Sequence, residues 1–93
     1  MFEIIFYRDK NGDSQIQDTL EDLRIKSKTD KEALVDFAKI TLYITLLSEY
    51  GLSLNSNFIK HLDHEIWELR PRKNRILFFG YNHNKFVLLH SFI

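Results

Sequence analysis

The 93-residue chain contains no cysteine, so neither a disulfide nor a thiolate site is available. A small chain without disulfides is typical of the cytoplasm. No apolar run approaches the roughly 20 residues that a membrane span needs, and no Ser–His–Asp arrangement indicates nucleophilic catalysis. The glycines are too scattered to form a phosphate loop: Gly12, Gly51 and Gly80. We therefore expect one small cytoplasmic domain over residues 1–93 with no membrane partner.

The formal net charge is zero, yet the two parts of the chain differ in charge. Residues 1–56 hold seven Lys or Arg against ten Asp or Glu, whereas residues 57–93 hold six against three. Four cations fall within six residues: Arg70, Arg72, Lys73 and Arg75. Such a concentration of positive charge beside an aromatic-rich segment favours a polyanion as partner, and RNA is the obvious candidate.

The first part of the chain predicts a strand followed by two helices. Residues 2–7, rich in Phe and Ile, predict the strand. Ser14 followed by Gln17 is a capping box that starts a helix over residues 14–26. A second capping box, at Thr29, starts the second helix.

The second helix has a wide apolar face. One stripe, at helical spacing, consists of Ala33, Phe37, Ile40, Ile44 and Leu47. A second stripe beside it consists of Leu34, Ala38, Leu42 and Leu46. Because the apolar face is so wide, we expect it to be buried against more than one neighbour. Gly51 fits a left-handed helix stop.

The remainder predicts a loop and then strands. Residues 52–64 predict a polar loop, long enough to be functional, with a short strand near residues 58–60 as an alternative. The last third predicts three antiparallel strands joined by two tight turns. A strand, a helix pair and then a run of strands argue for an α+β fold. We expect the helices to pack on one face of the sheet and to leave the other face at least partly open.

Four short segments carry a resemblance to a known superfamily: YRDKNG at 7–12, IKHLD at 59–63, EIWELRP at 65–71 and NRILFF at 74–79. In order and spacing they resemble the RelE/ParE superfamily of bacterial type II toxins, in its phage-derived, Gp49-like and HigB-like branch. The resemblance implies a strand, a helical hairpin and a three-stranded antiparallel meander. Members of this branch usually continue with a basic segment and a final helix, which we expect this chain to lack.

The resemblance also implies a function. It implies a cytoplasmic toxin that cleaves mRNA on the ribosome and so inhibits translation, without a metal or other cofactor. It implies a cognate helix-turn-helix antitoxin, which we expect to cover either the apolar helix pair or the basic sheet face. Two alternatives stay open: a gyrase-inhibiting toxin of the ParE type, and a truncated, non-catalytic remnant that only binds its antitoxin.

The implied endoribonuclease reaction, attack of a ribose 2′-hydroxyl on the adjacent phosphate, needs a base, cations on the phosphate and an acid. Arg70 and Arg75 are the candidates for the phosphate, because the guanidinium fork matches its geometry. For both arginines the alternative is a solvated turn residue or an ion pair with Asp63 or Glu68. Glu68 stands where the superfamily's ribonucleases carry a lysine. His90 is a candidate general acid or base, or else a partly buried structural histidine.

Five further residues are candidates for RNA binding. Arg72 and Lys73, at the turn, are placed for the backbone of ribosomal RNA or simply for solvent. Lys60 lies in the long loop. One of two adjacent phenylalanines should lie on the open sheet face, and Phe79 is the candidate for stacking on a base. Tyr81 can place a hydroxyl near the site, or cap the turn.

Overall fold

In the computed structural model, which describes residues 1–93, the chain forms two helices and one five-stranded sheet. The elements in chain order are β1 (Glu3–Phe6), α1 (Gln15–Lys26), α2 (Lys31–Tyr50), a short 3-10 helix (Gly51–Ser53), β2 (Ile59–Asp63), β3 (Ile66–Leu69), β4 (Arg75–Tyr81) and β5 (Lys85–Phe92). The strands lie in the order β1-β5-β4-β3-β2. β1 runs parallel to β5, and every other neighbouring pair is antiparallel. The predicted α+β class is confirmed.

Both helices begin at side-chain caps, but only one of the two predicted caps is right. Ser14 caps α1 as expected, its Oγ accepting a backbone N–H three residues on at 3.2 Å. The prediction that Thr29 caps α2 is wrong. Asp30 does so, its Oδ1 accepting the N–H groups of Glu32 at 2.9 Å and Ala33 at 3.3 Å. A carboxylate satisfies these donors and also interacts favourably with the positive end of the helix dipole.

The end of α2 is tied to the first strand. Gly51 ends α2, which confirms the predicted glycine stop. The expected left-handed conformation is wrong, because the φ of 60° is combined with a ψ of −142°. A Cβ at this position would lie 2.6 Å from the ring of Phe2, so a larger residue does not fit without movement. Ser48 fixes the same contact, because its Oγ donates to the Phe2 carbonyl at 2.8 Å and its carbonyl accepts the Phe2 N–H at 2.7 Å.

The predicted loop over residues 52–64 is wrong in its second half, which forms β2. Only Ile59 of this strand is buried, and the four residues after it are exposed. This edge strand is paired to the sheet by one ladder of backbone hydrogen bonds, to β3. Such bonds do not require apolar side chains, so the strand shows no apolar alternation in its sequence. The antiparallel meander therefore has four strands rather than the expected three, and the predicted alternative near residues 58–60 was the better interpretation.

The core lies between the helices and one face of the sheet. It consists of Ile16, Ile40, Leu47, Ile59, Leu69, Ile76, Phe78, Phe86 and Leu88. The second apolar stripe of α2 does not join it: Leu34 is 50% exposed and Leu42 is 46% exposed. The expected burial of both stripes is therefore not met within the chain, since α2 packs on one side only.

Candidate functional site

The face of the sheet that turns away from the helices collects most of the candidate residues. Burial alternates along β4, where Ile76 and Phe78 are buried against the helices. Because successive strand residues point to opposite faces, their neighbours lie on the other face. By the same alternation and by strand register, this open face carries Lys60, Glu68, Arg70, Arg75, Leu77, Phe79, Tyr81, His90 and Phe92.

A β-bulge places His90 on the open face. Phe78 pairs with Leu88, but the preceding residue Leu77 pairs with His90, so Leu89 is an extra residue in β5. Without the bulge, His90 would share the helix-facing side with Leu88. The bulge therefore re-aims His90, which is exposed, and bulges have this use next to active sites.

One row of residues runs across four strands of this face. Lys60 pairs with Glu68, Glu68 with Leu77, and Leu77 with His90. Lys60, expected in a loop, thus lies on β2 within the same row as the candidate acid–base histidine. Neighbouring strands are about 4.8 Å apart, so the backbones at Glu68 and His90 are about 10 Å apart. Leu77 lies between the two residues in this row, on the same face.

Glu68 is the centre of the charged cluster. Its Oε2 lies 3.7 Å from Arg70 Nε and 3.8 Å from Arg75 Nε, and its side chain is only 13% exposed. At these distances the contacts are ion pairs, because they are too long to be hydrogen bonds. The predicted alternative of an ion pair between Arg75 and Glu68 is therefore present, and the same contact brings Arg70 and Arg75 together. Two guanidinium groups that face one carboxylate oxygen can also face one phosphate.

The Arg75 guanidinium is hydrogen-bonded to the backbone of the turn between β3 and β4. Its Nη1 donates to the carbonyl oxygens of Arg72 and Asn74, both at 2.8 Å. The turn is closed by the Asn74 N–H, which donates to the Pro71 carbonyl at 3.0 Å. Because these contacts fix the guanidinium in advance, Arg75 loses little side-chain entropy when it binds an anion.

Arg72 and Lys73 face α2 instead of the open face. Arg72 donates to Asp36 at 2.8 Å and to Glu32 at 3.0 Å. Lys73 Nζ lies 3.5 Å from Asp36 Oδ2 and 3.9 Å from Glu32 Oε1. The Asp36 side chain is 4% exposed, and a buried carboxylate needs such partners. We call this set of ion pairs between the turn and α2 the clamp; it consists of Arg72, Lys73, Glu32 and Asp36. Contact of the two cations with ribosomal RNA stays a prediction.

The clamp holds a turn with an unfavourable backbone conformation. Arg72 has a φ of 55°, in the left-handed region that favours glycine. Such a conformation persists where surrounding contacts stabilise it, and the two carboxylates of α2 supply those contacts. Through the carbonyl of Arg72, the same turn positions Arg75. A continuous set of contacts therefore runs from Asp36 to the open face.

The aromatic candidates lie at different distances from the cluster. Phe79 is four residues beyond Arg75 on β4, roughly 13 Å along the strand. Tyr81 is six residues beyond, roughly 20 Å, and lines a separate cleft of about 520 Å³ beside the β4–β5 turn. Its hydroxyl is therefore not brought to the cluster. Phe92 lies directly opposite Arg75 and is 44% exposed.

Sequence reasoning missed Phe92 as a member of the site and considered Glu68 only as an ion-pair partner that would compete with the phosphate. The sequence shows that Glu68 is negatively charged, and a carboxylate is not expected among cations that bind a phosphate. Counting back from the β4–β5 turn, where Tyr81 pairs with Lys85, places Ser91 opposite Arg75. The bulge moves Phe92 into that place, and no signal in the sequence indicates the bulge.

Neither helix of the chain is long and apolar enough to cross a membrane. No curated protein matches the sequence. The family described as Phage derived protein Gp49-like (DUF891) matches residues 27–93. The match runs from just before α2 to the end of β5, so it includes the clamp and every candidate residue of the open face. The chain belongs to this Gp49-like family, which is a family of RelE-like toxins of toxin–antitoxin systems.

Proposed function

We propose that this protein is the toxin of a type II toxin–antitoxin system and acts as a ribosome-dependent mRNA endoribonuclease that inhibits translation. The observation that carries the proposal is the cluster on the open face. Arg70 and Arg75 approach one carboxylate oxygen of Glu68 at 3.7 and 3.8 Å, and His90 stands in the same row of residues as Glu68. Membership of a toxin family supplies the biological setting.

In the proposed reaction, the phosphate of the scissile bond takes the place between the two arginines. Arg70 and Arg75 bind its non-bridging oxygens and stabilise the charge that develops there. Glu68, displaced from its arginine contacts, accepts the proton of the ribose 2′-hydroxyl. The 2′-oxygen attacks phosphorus, and the bond from phosphorus to the 5′-oxygen breaks. A 2′,3′-cyclic phosphate forms on one side of the cut.

His90 supplies the acid in this scheme. A protonated imidazole donates a proton to the departing 5′-oxygen, so that the second product carries a 5′-hydroxyl. Histidine suits this step because its ordinary pKa lies close to physiological pH. Lys60, across the sheet in the same row, contacts a neighbouring phosphate of the RNA. No metal enters the scheme, since the cations of the chain face the phosphate directly.

The rest of the open face serves to hold the substrate. Phe92 and Phe79 provide aromatic surface on either side of the cluster, on which bases can stack. Contacts to the phosphate backbone position RNA without reading its sequence. We therefore expect the ribosome, which presents the A-site codon, to determine where the mRNA is cut. A cytoplasmic location and a helix-turn-helix antitoxin belong to the same proposal.

Primer-extension mapping of mRNA 5′ ends tests the proposal. Translating ribosomes are incubated with and without the purified chain. We expect new 5′ ends within A-site codons, and no cleavage of the same mRNA when ribosomes are left out. A DNA-damage response with unaltered mRNA ends would instead support a gyrase-inhibiting toxin. Binding to an antitoxin without new ends and without growth arrest would support a non-catalytic remnant.

A further inference from the structure

The outward face of α2 carries a seam, with apolar residues at its centre and a charged residue at each end, that nothing in the chain covers. Its members alternate at spacings of four and three residues: Lys31, Val35, Ala38, Leu42, Thr45 and Glu49. All six residues are exposed, with Val35 at 42% and Leu42 at 46%. This spacing is the heptad pattern by which two helices pack along each other. A helix that is apolar on its outward side as well as its inward side is normally covered.

The seam is self-complementary when a second copy of α2 lies antiparallel to the first. With a two-fold axis beside residue 40, the small Ala38 lies opposite the large Leu42 of the second copy, and Val35 lies opposite Thr45. At both ends Lys31 meets Glu49 of the other copy. These two residues take no part in the ion pairs that the chain forms internally. Their charges are therefore free to pair across the interface.

One further detail fits the same arrangement. The hydroxyl of Thr45 donates to the carbonyl of Thr41 at 2.9 Å. It therefore enters an apolar interface with its hydrogen bond already made. α2 spans 20 residues, or about 30 Å, which gives the contact its length.

We propose that this face of α2 binds a second copy of the same chain, as an antiparallel two-fold helix pair. A parallel pair is disfavoured, since it would place Lys31 against Lys31 and Glu49 against Glu49. The inference does not depend on the proposed endoribonuclease function. The helices lie on the opposite side of the sheet from the cluster around Glu68, so a dimer of this kind leaves both open faces accessible.

Sedimentation velocity over a concentration series of the purified full-length chain tests the proposal. We expect a reversible monomer–dimer equilibrium. Lys31→Glu or Glu49→Lys alone should raise the dimer dissociation constant about tenfold, because two attractive pairs become repulsive. The double variant Lys31→Glu/Glu49→Lys should restore the wild-type constant. Lys10→Glu, a reversal in the exposed turn between β1 and α1, should have no effect.

A monomer at every concentration would overturn the proposal and leave the face to a different protein, such as an antitoxin. A dimer that the single reversals do not weaken, or that the double variant does not restore, would also overturn it. Circular dichroism of each variant checks that the fold is kept, and the exposure of both side chains makes the reversals compatible with it.

Discussion

Arg72 and Lys73 lie between Arg70 and Arg75 in the sequence, but the inner and outer pairs of cations have different surroundings in the fold. Arg70 and Arg75 lie on the open face and share the carboxylate of Glu68 at 3.7 and 3.8 Å. Arg72 and Lys73 turn to the other side of the hairpin, where Arg72 makes a hydrogen bond of 2.8 Å to the buried Asp36. The difference shows that a tight turn can divide one basic run between the open face of the sheet and the side that packs on α2.

The pair on the open face is the better site for an anion. An incoming phosphate has to replace only ion pairs longer than a hydrogen bond, and Arg75 is already oriented by two backbone carbonyls. At the clamp, an anion would have to displace two carboxylates of α2, one of them buried. We therefore assign substrate contact to Arg70 and Arg75 and stabilisation of the turn to Arg72 and Lys73.

The largest expected effect is that of Arg70→Ala/Arg75→Ala. Loss of both guanidiniums removes the groups that stabilise charge on the phosphate, so cleavage should fall by at least about 10³-fold. The measurement is growth arrest after induction, with the soluble level of each variant checked. Lys85→Ala is the matched control, because Lys85 is a cation at the far end of β5. Equal toxicity of the double variant and the control would contradict the assignment.

His90→Gln sharpens the account of the open face, since it keeps a polar side chain of similar size but removes the acid. Cleavage at the ribosome should fall about 10²-fold, with little change in ribosome binding. A variant that keeps the rate of the wild type would exclude His90 as the acid.

Asp36→Ala tests the clamp. Arg72 and Lys73 would lose their buried partner, so the free energy of unfolding should fall by about 2 kcal/mol. Urea unfolding followed by circular dichroism measures this change. Glu32→Ala is the matched control, because Glu32 faces the same two cations but its side chain is 57% exposed. The control should change the free energy of unfolding by no more than about 0.5 kcal/mol. Equal losses for the two variants would contradict the distinction.

The smallest expected effect concerns the backbone of the turn. Arg72→Gly and Arg72→Ala both remove the ion pairs with α2, but only glycine relieves the positive φ of 55°. The glycine variant should therefore be more stable than the alanine variant by about 1 kcal/mol. The same urea unfolding experiment measures it. If the alanine variant is the more stable, the turn is not strained in the manner described.

Much of the fold could be predicted from local patterns, because α1, α2 and the last three strands carry their own periodicity and breakers. Ser14 as a cap and Gly51 as a stop are signals of the same local kind. β2 escaped prediction because four of its five residues are exposed and its pairing is a tertiary event. Asp30 was overlooked since Thr29, one residue earlier, also satisfied the capping pattern.

The site was harder to predict than the fold. The basic run identified the correct hairpin, but its division between two faces depends on the turn at Arg72, whose positive φ the sequence does not indicate. The place of His90 depends on the bulge at Leu89, which no local pattern in the sequence indicates. Residues of opposite charge, such as Glu68, join a basic site only when register brings them there.

The most direct test compares the two pairs of cations in one assay. Translating ribosomes are treated with the wild-type chain, with Arg70→Ala/Arg75→Ala and with Arg72→Ala/Lys73→Ala, and mRNA 5′ ends are mapped by primer extension. We predict new A-site ends with the wild type, none with the open-face variant, and retained though weaker ends with the turn variant. Loss of cleavage in the turn variant, together with retained cleavage in the open-face variant, would contradict the account.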